Sequence, residues 1–249
     1  MGGEDGFEEV VTVLAISQYS FAEVGSSACT PIACSAVAAL LERLGSGIDI
    51  NDASYLNNAI IAGVHSYSNM RRPSSADHMS VEEFADASSD MRLKLRRVGE
   101  SFQGLLTEQN PFQNLIRNAQ EIAAASSSNR GNHIGIVITK PPETVCITVP
   151  SLSCPIESRI YSFFDSHSRP EYGLTGSYLV SSSGIESVLN RLLAIFPQNT
   201  GALFDDAEDS YMQMLYSTYE ATVFQVVETQ DVPKPPTPPV SANVPDFIN

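Results

Sequence analysis

Apolar residues recur at helical intervals most clearly after the loop Gly25-Ser26-Ser27, where Ile32, Ala33, Ala36, Val37, Leu40, Leu41 and Leu44 lie on one broad face. Pro31 falls in the first turn of that helix, where a missing N–H is tolerated, and Gly45 supplies its stop. Upstream, Val10 to Ile16 is a short apolar run, read as a strand or a buried helical turn. Residues 51–129 are mostly helical in pattern. Within them, Ser80 with Glu83 three residues on forms a capping box, and Asn110-Pro111 opens a helix to about Ala125. The pattern then changes period. Ile134 to Thr139 and Val145 to Val149 are β-branched runs joined by Lys140-Pro141-Pro142-Glu143, which predicts a hairpin. Further strands are predicted over Ile160 to Phe164, Tyr178 to Ser181 and Ala221 to Val227, with a helix from Gly184 to Phe196. The expected fold class is α+β, a helical N-terminal half packed on an antiparallel sheet.

Composition adjusts this picture at the ends and at the surface. The chain has 249 residues, enough to bury a sizeable core. Residues 1–9 read as an acidic leader with no secretory character, 10–231 as one domain, and 232–249 as a Pro-rich, unpacked tail. Such a tail is a linker or disordered end, or else docks SH3-type domains. A net charge of −15 argues against nucleic acid and suits a basic partner or a solvated acidic surface. No apolar run is long enough to span a membrane. The four cysteines, Cys29, Cys34, Cys146 and Cys154, match neither a metal-ligand spacing nor a disulfide framework, so a reduced, cytoplasmic setting without cofactor or metal is expected.

The chemistry concentrates in a few positions. Phe163-Phe164-Asp165-Ser166-His167-Ser168-Arg169 places a carboxylate and an imidazole two residues apart at the end of an apolar run. On a strand, both would point to the same face, and Asp165 would hold one ring nitrogen of His167 while the other takes a proton. Cys29, at the start of the strong helix, is the candidate nucleophile, since unpaired N–H groups and the helix dipole there favour a thiolate. The backbone N–H of Cys29 and the side chain of Gln18 are candidate oxyanion donors. Cys34, inside the helix, is expected to fill core. His133, at the start of a strand, rivals His167 as the base, with His167 preferred for its built-in carboxylate. His65 and His78 are expected to be solvated.

The order Gln, Cys opening a helix, then His with its acid on a later strand is that of papain-like folds. Gly25-Ser26-Ser27-Ala28-Cys29 with its Ala-rich helix resembles the nucleophile segment of the herpesvirus large-tegument-protein cysteine peptidases. The Asp165-Ser166-His167 segment resembles that family's strand-borne Asp-x-His, and Gln18 lies where the family carries its oxyanion Gln. The resemblance covers residues 10–40 and 130–196. It implies a papain-like core and a deubiquitinase, with Cys29 as nucleophile, His167 as base, Asp165 as orienter and Gln18 as oxyanion donor, acting after the C-terminal Gly-Gly of ubiquitin or a ubiquitin-like modifier. It also implies that residues 51–129, which match nothing in it, grip the substrate, and that the basic ubiquitin tail suits an acidic enzyme. Two other classes compete. One is a papain-superfamily amidase or acyltransferase with another substrate; the other is a non-catalytic acidic interaction module.

Overall fold

A computed structural model describes residues 10–70, 79–126, 131–197 and 217–227. The acidic leader, His78 and the Pro-rich tail lie outside the described residues. Along the chain run β1 (Val11–Ala15), α1 (Ala22–Gly25), α2 (Cys29–Gly45), α3 (Ala53–Met70), α4 (Val81–Ala87), α5 (Ser89–Lys94), β2 (Leu95–Arg97), β3 (Phe102–Leu105) and α6 (Pro111–Ala125). There follow β4 (His133–Lys140), β5 (Glu143–Pro150), β6 (Tyr161–Asp165), β7 (Ser177–Ser182), α7 (Glu186–Ile195) and β8 (Thr218–Val226).

The eight strands form one antiparallel sheet in the order β1-β7-β6-β5-β4-β8-β2, with β3 also pairing β8. Alternation along each strand assigns its two faces. Val137, Cys146, Phe164, Leu179 and Phe224 pack with α2, α3, α4 and α5. Their chain neighbours Ile136, Ile138, Val145, Ile147, Phe163, Tyr178, Val180 and Val223 pack with α6 and α7. Helices therefore cover both faces of the sheet. Sheet strands buried on both sides carry near-continuous apolar runs, which is why β4 and β5 read as unbroken β-branched stretches.

The N-terminal half is less purely helical than its pattern predicts. It contributes β1, which pairs β7, and β2 and β3, which pair β8. β2 is three residues long, and its Arg96 and Arg97 are exposed. So short a strand has no period to detect, and basic side chains on a sheet edge are a common guard against edge-to-edge pairing. Other expectations hold closely. Ser80 caps α4 by accepting from the Glu83 N–H at 3.1 Å, while Glu83 accepts from the Ser80 N–H at 2.9 Å. α2 ends at Gly45, as expected, and Gly47, at φ 65°, makes the left-handed turn beyond it.

α2 is held unusually close to the sheet at Gly135. A Cβ on that residue would sit 2.1 Å from Val37 Cγ2 and 3.1 Å from Leu41 Cδ1. Gly135→Ala is thus expected to destabilise the fold by about 1–3 kcal/mol through overpacking, read as a lower denaturant midpoint. An unchanged midpoint would mean that α2 is free to lift off the sheet.

Candidate active site

Cys29 is the first residue of the 17-residue helix α2, buried at 2% exposure, where the helix dipole favours an anion; Pro31 has no N–H, and those of Ala28 and Ile32 bond the Gly25 and Ala28 carbonyls, so the first turn leaves only the Cys29 and Thr30 N–H groups toward the thiol. Its thiol points at the carbonyl of Pro142, 3.7 Å away in the β4–β5 turn. The same end of that hairpin supplies Thr144, which hydrogen-bonds the Cys29 sulfur and whose hydroxyl lies 2.9 Å from that of Thr30. Burial alone would raise the thiol's pKa. The hydrogen bond and charge of His167, helped by Thr144 and the Thr30 N–H, overcome it and hold the pKa below the ordinary value.

His167 also bonds Cys29, but not from a strand. β6 ends at Asp165, and His167 lies two residues beyond it. Asp165 Oδ1 accepts both the His167 backbone N–H at 2.9 Å and its Nδ1 at 2.6 Å. One oxygen therefore folds the chain into an Asx-type turn and also grips the ring. The spacing of two reflects that turn rather than the pleat. With Nδ1 committed to Asp165, Nε2 is the ring nitrogen left to face Cys29. Burial lowers the pKa of His167, but Asp165 and Cys29 push it up to about 9. Asp165 is fully buried; desolvation opposes its charge, and the His167 and Arg169 interactions nevertheless keep it below the usual carboxylate range.

Gln18, also fully buried, lies between β1 and α1. Its Oε1 accepts from Ser166 Oγ at 2.6 Å, and its backbone N–H donates to the Ser166 carbonyl at 3.3 Å. Ser177 Oγ adds a bond to that carbonyl at 2.7 Å. Gln18 Nε2 finds no hydrogen-bond partner among the described residues. A buried amide donor left unpaired is costly in a native structure and calls for an explanation. The loop bearing Gln18 is drawn in by Gly25, where a Cβ would lie 1.9 Å from the Gln18 carbonyl oxygen. Tyr19, next in sequence, is 54% exposed, with its ring 6.0 Å from that of His167.

Cys29, His167 and Asp165 thus lie in one series, and Gln18 is tied to it through Ser166, the residue between Asp165 and His167. His133 does not join them. It begins β4, whereas Cys29 faces the far end of that hairpin, roughly 24 Å away along an eight-residue strand. His133 instead accepts from the Ile160 N–H at 3.4 Å, and burial lowers its pKa. Cys34 and Cys146 are buried in the core, and desolvation raises both thiols. His65 is exposed on α3. Missed from sequence were Ser166, the Pro142 carbonyl, and the pair Arg169 and Glu143. Arg169 donates from Nε to Asp165 Oδ2 at 2.8 Å and chelates both oxygens of Glu143 at 2.9 and 2.8 Å. The polar residues interleaved in Asp-Ser-His-Ser-Arg were the available signal for Ser166 and Arg169.

A mixed assembly of helices and antiparallel sheet, with a buried thiol, imidazole and carboxylate in hydrogen-bonded series, is an arrangement suited to thiol chemistry. In fold the chain is similar to the ubiquitin-specific protease encoded by murine cytomegalovirus tegument protein M48, whose crystal structure contains a ubiquitin-based suicide substrate. The TM-score is 0.58 over 90% of each chain, at 13% sequence identity. The likeness supports the tegument-type resemblance at the level of fold, not of sequence. No protein-family model and no curated protein matches the chain.

Proposed function

We propose that this protein is a cysteine deubiquitinase, hydrolysing peptide or isopeptide bonds after the C-terminal Gly-Gly of ubiquitin or a ubiquitin-like modifier. The observation that carries the reading is the series Cys29, His167, Asp165 beside an unpaired buried donor, Gln18 Nε2. Similarity in fold to a viral ubiquitin-specific protease favours this substrate over other amides.

In the proposed reaction the Cys29 thiolate attacks the carbonyl carbon of the terminal glycine and forms a C–S bond. The carbonyl π pair moves onto oxygen, where Gln18 Nε2 and the Cys29 N–H stabilise it. Collapse breaks the C–N bond, and the leaving amine takes the proton of His167. A water then loses a proton to His167 and attacks the thioester. The new C–O bond replaces C–S, and the thiolate returns. Asp165 holds the ring throughout and balances its charge. The proposed setting is the cytoplasm, whose reducing conditions keep thiols free, and all four cysteines are unpaired. Residues 51–129 are proposed to help grip the substrate; within them α3, α4 and α5 pack on α2, the helix whose first residue is Cys29.

Ubiquitin carrying a thiol-reactive group at its C-terminus is expected to form a one-to-one covalent adduct that Cys29→Ala abolishes. Labelling of Cys29 by a small thiol reagent, without any adduct to ubiquitin or its relatives, would turn the assignment to an amidase or acyltransferase. Failure of both on folded protein would leave a binding module.

A further inference from the structure

On the thiol-hydrolase reading of the site, Arg169 stands directly behind its acid, Asp165. Three protein N–H groups engage the buried Asp165 carboxylate, two from His167 on Oδ1 and Arg169 Nε on Oδ2, with the Tyr178 hydroxyl close by. The remaining arms of the Arg169 guanidinium hold Glu143 through two bonds. Glu143 is the first residue of β5 and directly follows Pro142, whose carbonyl faces the Cys29 thiol. Arg169 itself has little freedom. Its backbone N–H donates to the Leu174 carbonyl at 2.7 Å, and the Leu174 N–H returns to Arg169 at 3.0 Å. Its side chain is 13% exposed, against 27% for Glu143. One planar cation thus joins the two loops that meet Cys29, one through the Pro142 carbonyl and one through His167.

We propose that Arg169 is a positioning residue that clamps the Asp165 carboxylate to the β4–β5 turn, so that acid, base and the Pro142 carbonyl keep one geometry around Cys29. A fork is needed because two carboxylates must be held in fixed directions at once, which a lysine ammonium does not do. The cation has a second consequence. It balances Asp165, so that protonated His167 remains free to stabilise the Cys29 thiolate.

Two readouts test the clamp: alkylation of Cys29 by iodoacetamide as a function of pH, which needs no ubiquitin, and steady-state cleavage of a ubiquitin C-terminal amide reporter. Arg169→Gln is expected to move the acid limb of alkylation up by about one pH unit, through loss of a nearby opposite charge. It is also expected to lower kcat about 10- to 100-fold through misalignment, with KM nearly unchanged. Arg169→Lys keeps a cation without the fork, and is expected to restore the alkylation profile but only part of kcat. A folded Arg169→Gln protein with an unmoved alkylation profile overturns the proposal, whatever its kcat. Full recovery of kcat by Lys also overturns it, because a bare cation would then suffice. Should the Gln variant not fold, the Lys variant decides by its kcat. A wild-type protein that alkylates at low pH but ignores ubiquitin refutes the substrate and leaves the clamp standing. An ordinary, unactivated Cys29 refutes both.

Discussion

Asp165→Asn is expected to lower kcat/KM by about 10⁴-fold, the scale seen when a triad loses its acid with its geometry intact. The environment of Asp165 makes that scale apply here. An asparagine has one acceptor oxygen and one donor NH₂, while Asp165 faces three donors on its two oxygens. If the amide oxygen turns to His167, the NH₂ opposes the Arg169 guanidinium. If it turns to Arg169, the NH₂ meets His167, whose Nδ1 must become the acceptor, and the ring proton then moves to Nε2. That tautomer has no lone pair for the Cys29 proton. Charge works in the same direction. Asp165 and Cys29 raise the His167 pKa to about 9, and His167 in turn lowers that of Cys29. The thiolate–imidazolium pair therefore exists from the depressed thiol pKa up to about pH 9. In the variant the upper limit falls and the lower limit rises, so the bell-shaped pH profile narrows as its height drops. Stability follows the same linkage. The raised His167 pKa gives stability that is complete below the ordinary histidine value and is lost as pH rises through about 9. The lowered Asp165 pKa gives stability that is present above the ordinary carboxylate value and is lost as pH falls. A variant retaining its rate and the width of its pH profile would remove Asp165 from the mechanism.

The sequence carried the site's residues better than its geometry. Cys29 was legible because a loop of small residues precedes a long apolar-periodic helix, and helix starts are among the stronger local signals. Asp165 and His167 were legible as a pair, yet the reason for their spacing was misassigned. A strand pleat and an Asx turn both bring residues two apart together, and nothing in the pattern separates them. Sequence order also left His133 open as the base, because its exclusion is a long-range fact. Once β4 and β5 pair Lys140 with Glu143, the turn lies at Cys29 and His133 lies at the opposite end. The same holds for Arg169 and Glu143. Their contact spans 26 residues and depends on β6 lying beside β5, so neither periodicity nor propensity announces it. What escaped in the fold was short: β2 and β3, whose pairing with the distant β8 defines them as strands.

Gln18→Ala is expected to reduce kcat by about 10²- to 10³-fold, the usual cost of removing one oxyanion donor, while leaving Cys29 alkylation at the wild-type rate. The two readouts separate because alkylation at a saturated carbon develops no oxyanion, whereas acyl transfer does. Gln18 has a second duty that requires a control. Its Oε1 accepts from Ser166, the residue between Asp165 and His167, so truncation also removes a support of the base. Gln18→Glu keeps an acceptor for Ser166 and nearly the same volume, and once ionised, above a pKa that burial raises, presents no donor. It is expected to lose at least as much in kcat as the alanine variant, since a carboxylate would face the developing negative charge. The backbone bond from the Gln18 N–H to the Ser166 carbonyl survives in both variants and should keep the loop in place. Equal losses in acyl transfer and alkylation would assign Gln18 to supporting His167 through Ser166. Selective loss of acyl transfer, shared by Ala and Glu, would explain why a fully buried amide nitrogen has no partner among the described residues: its partner is the oxyanion, which exists only during the reaction.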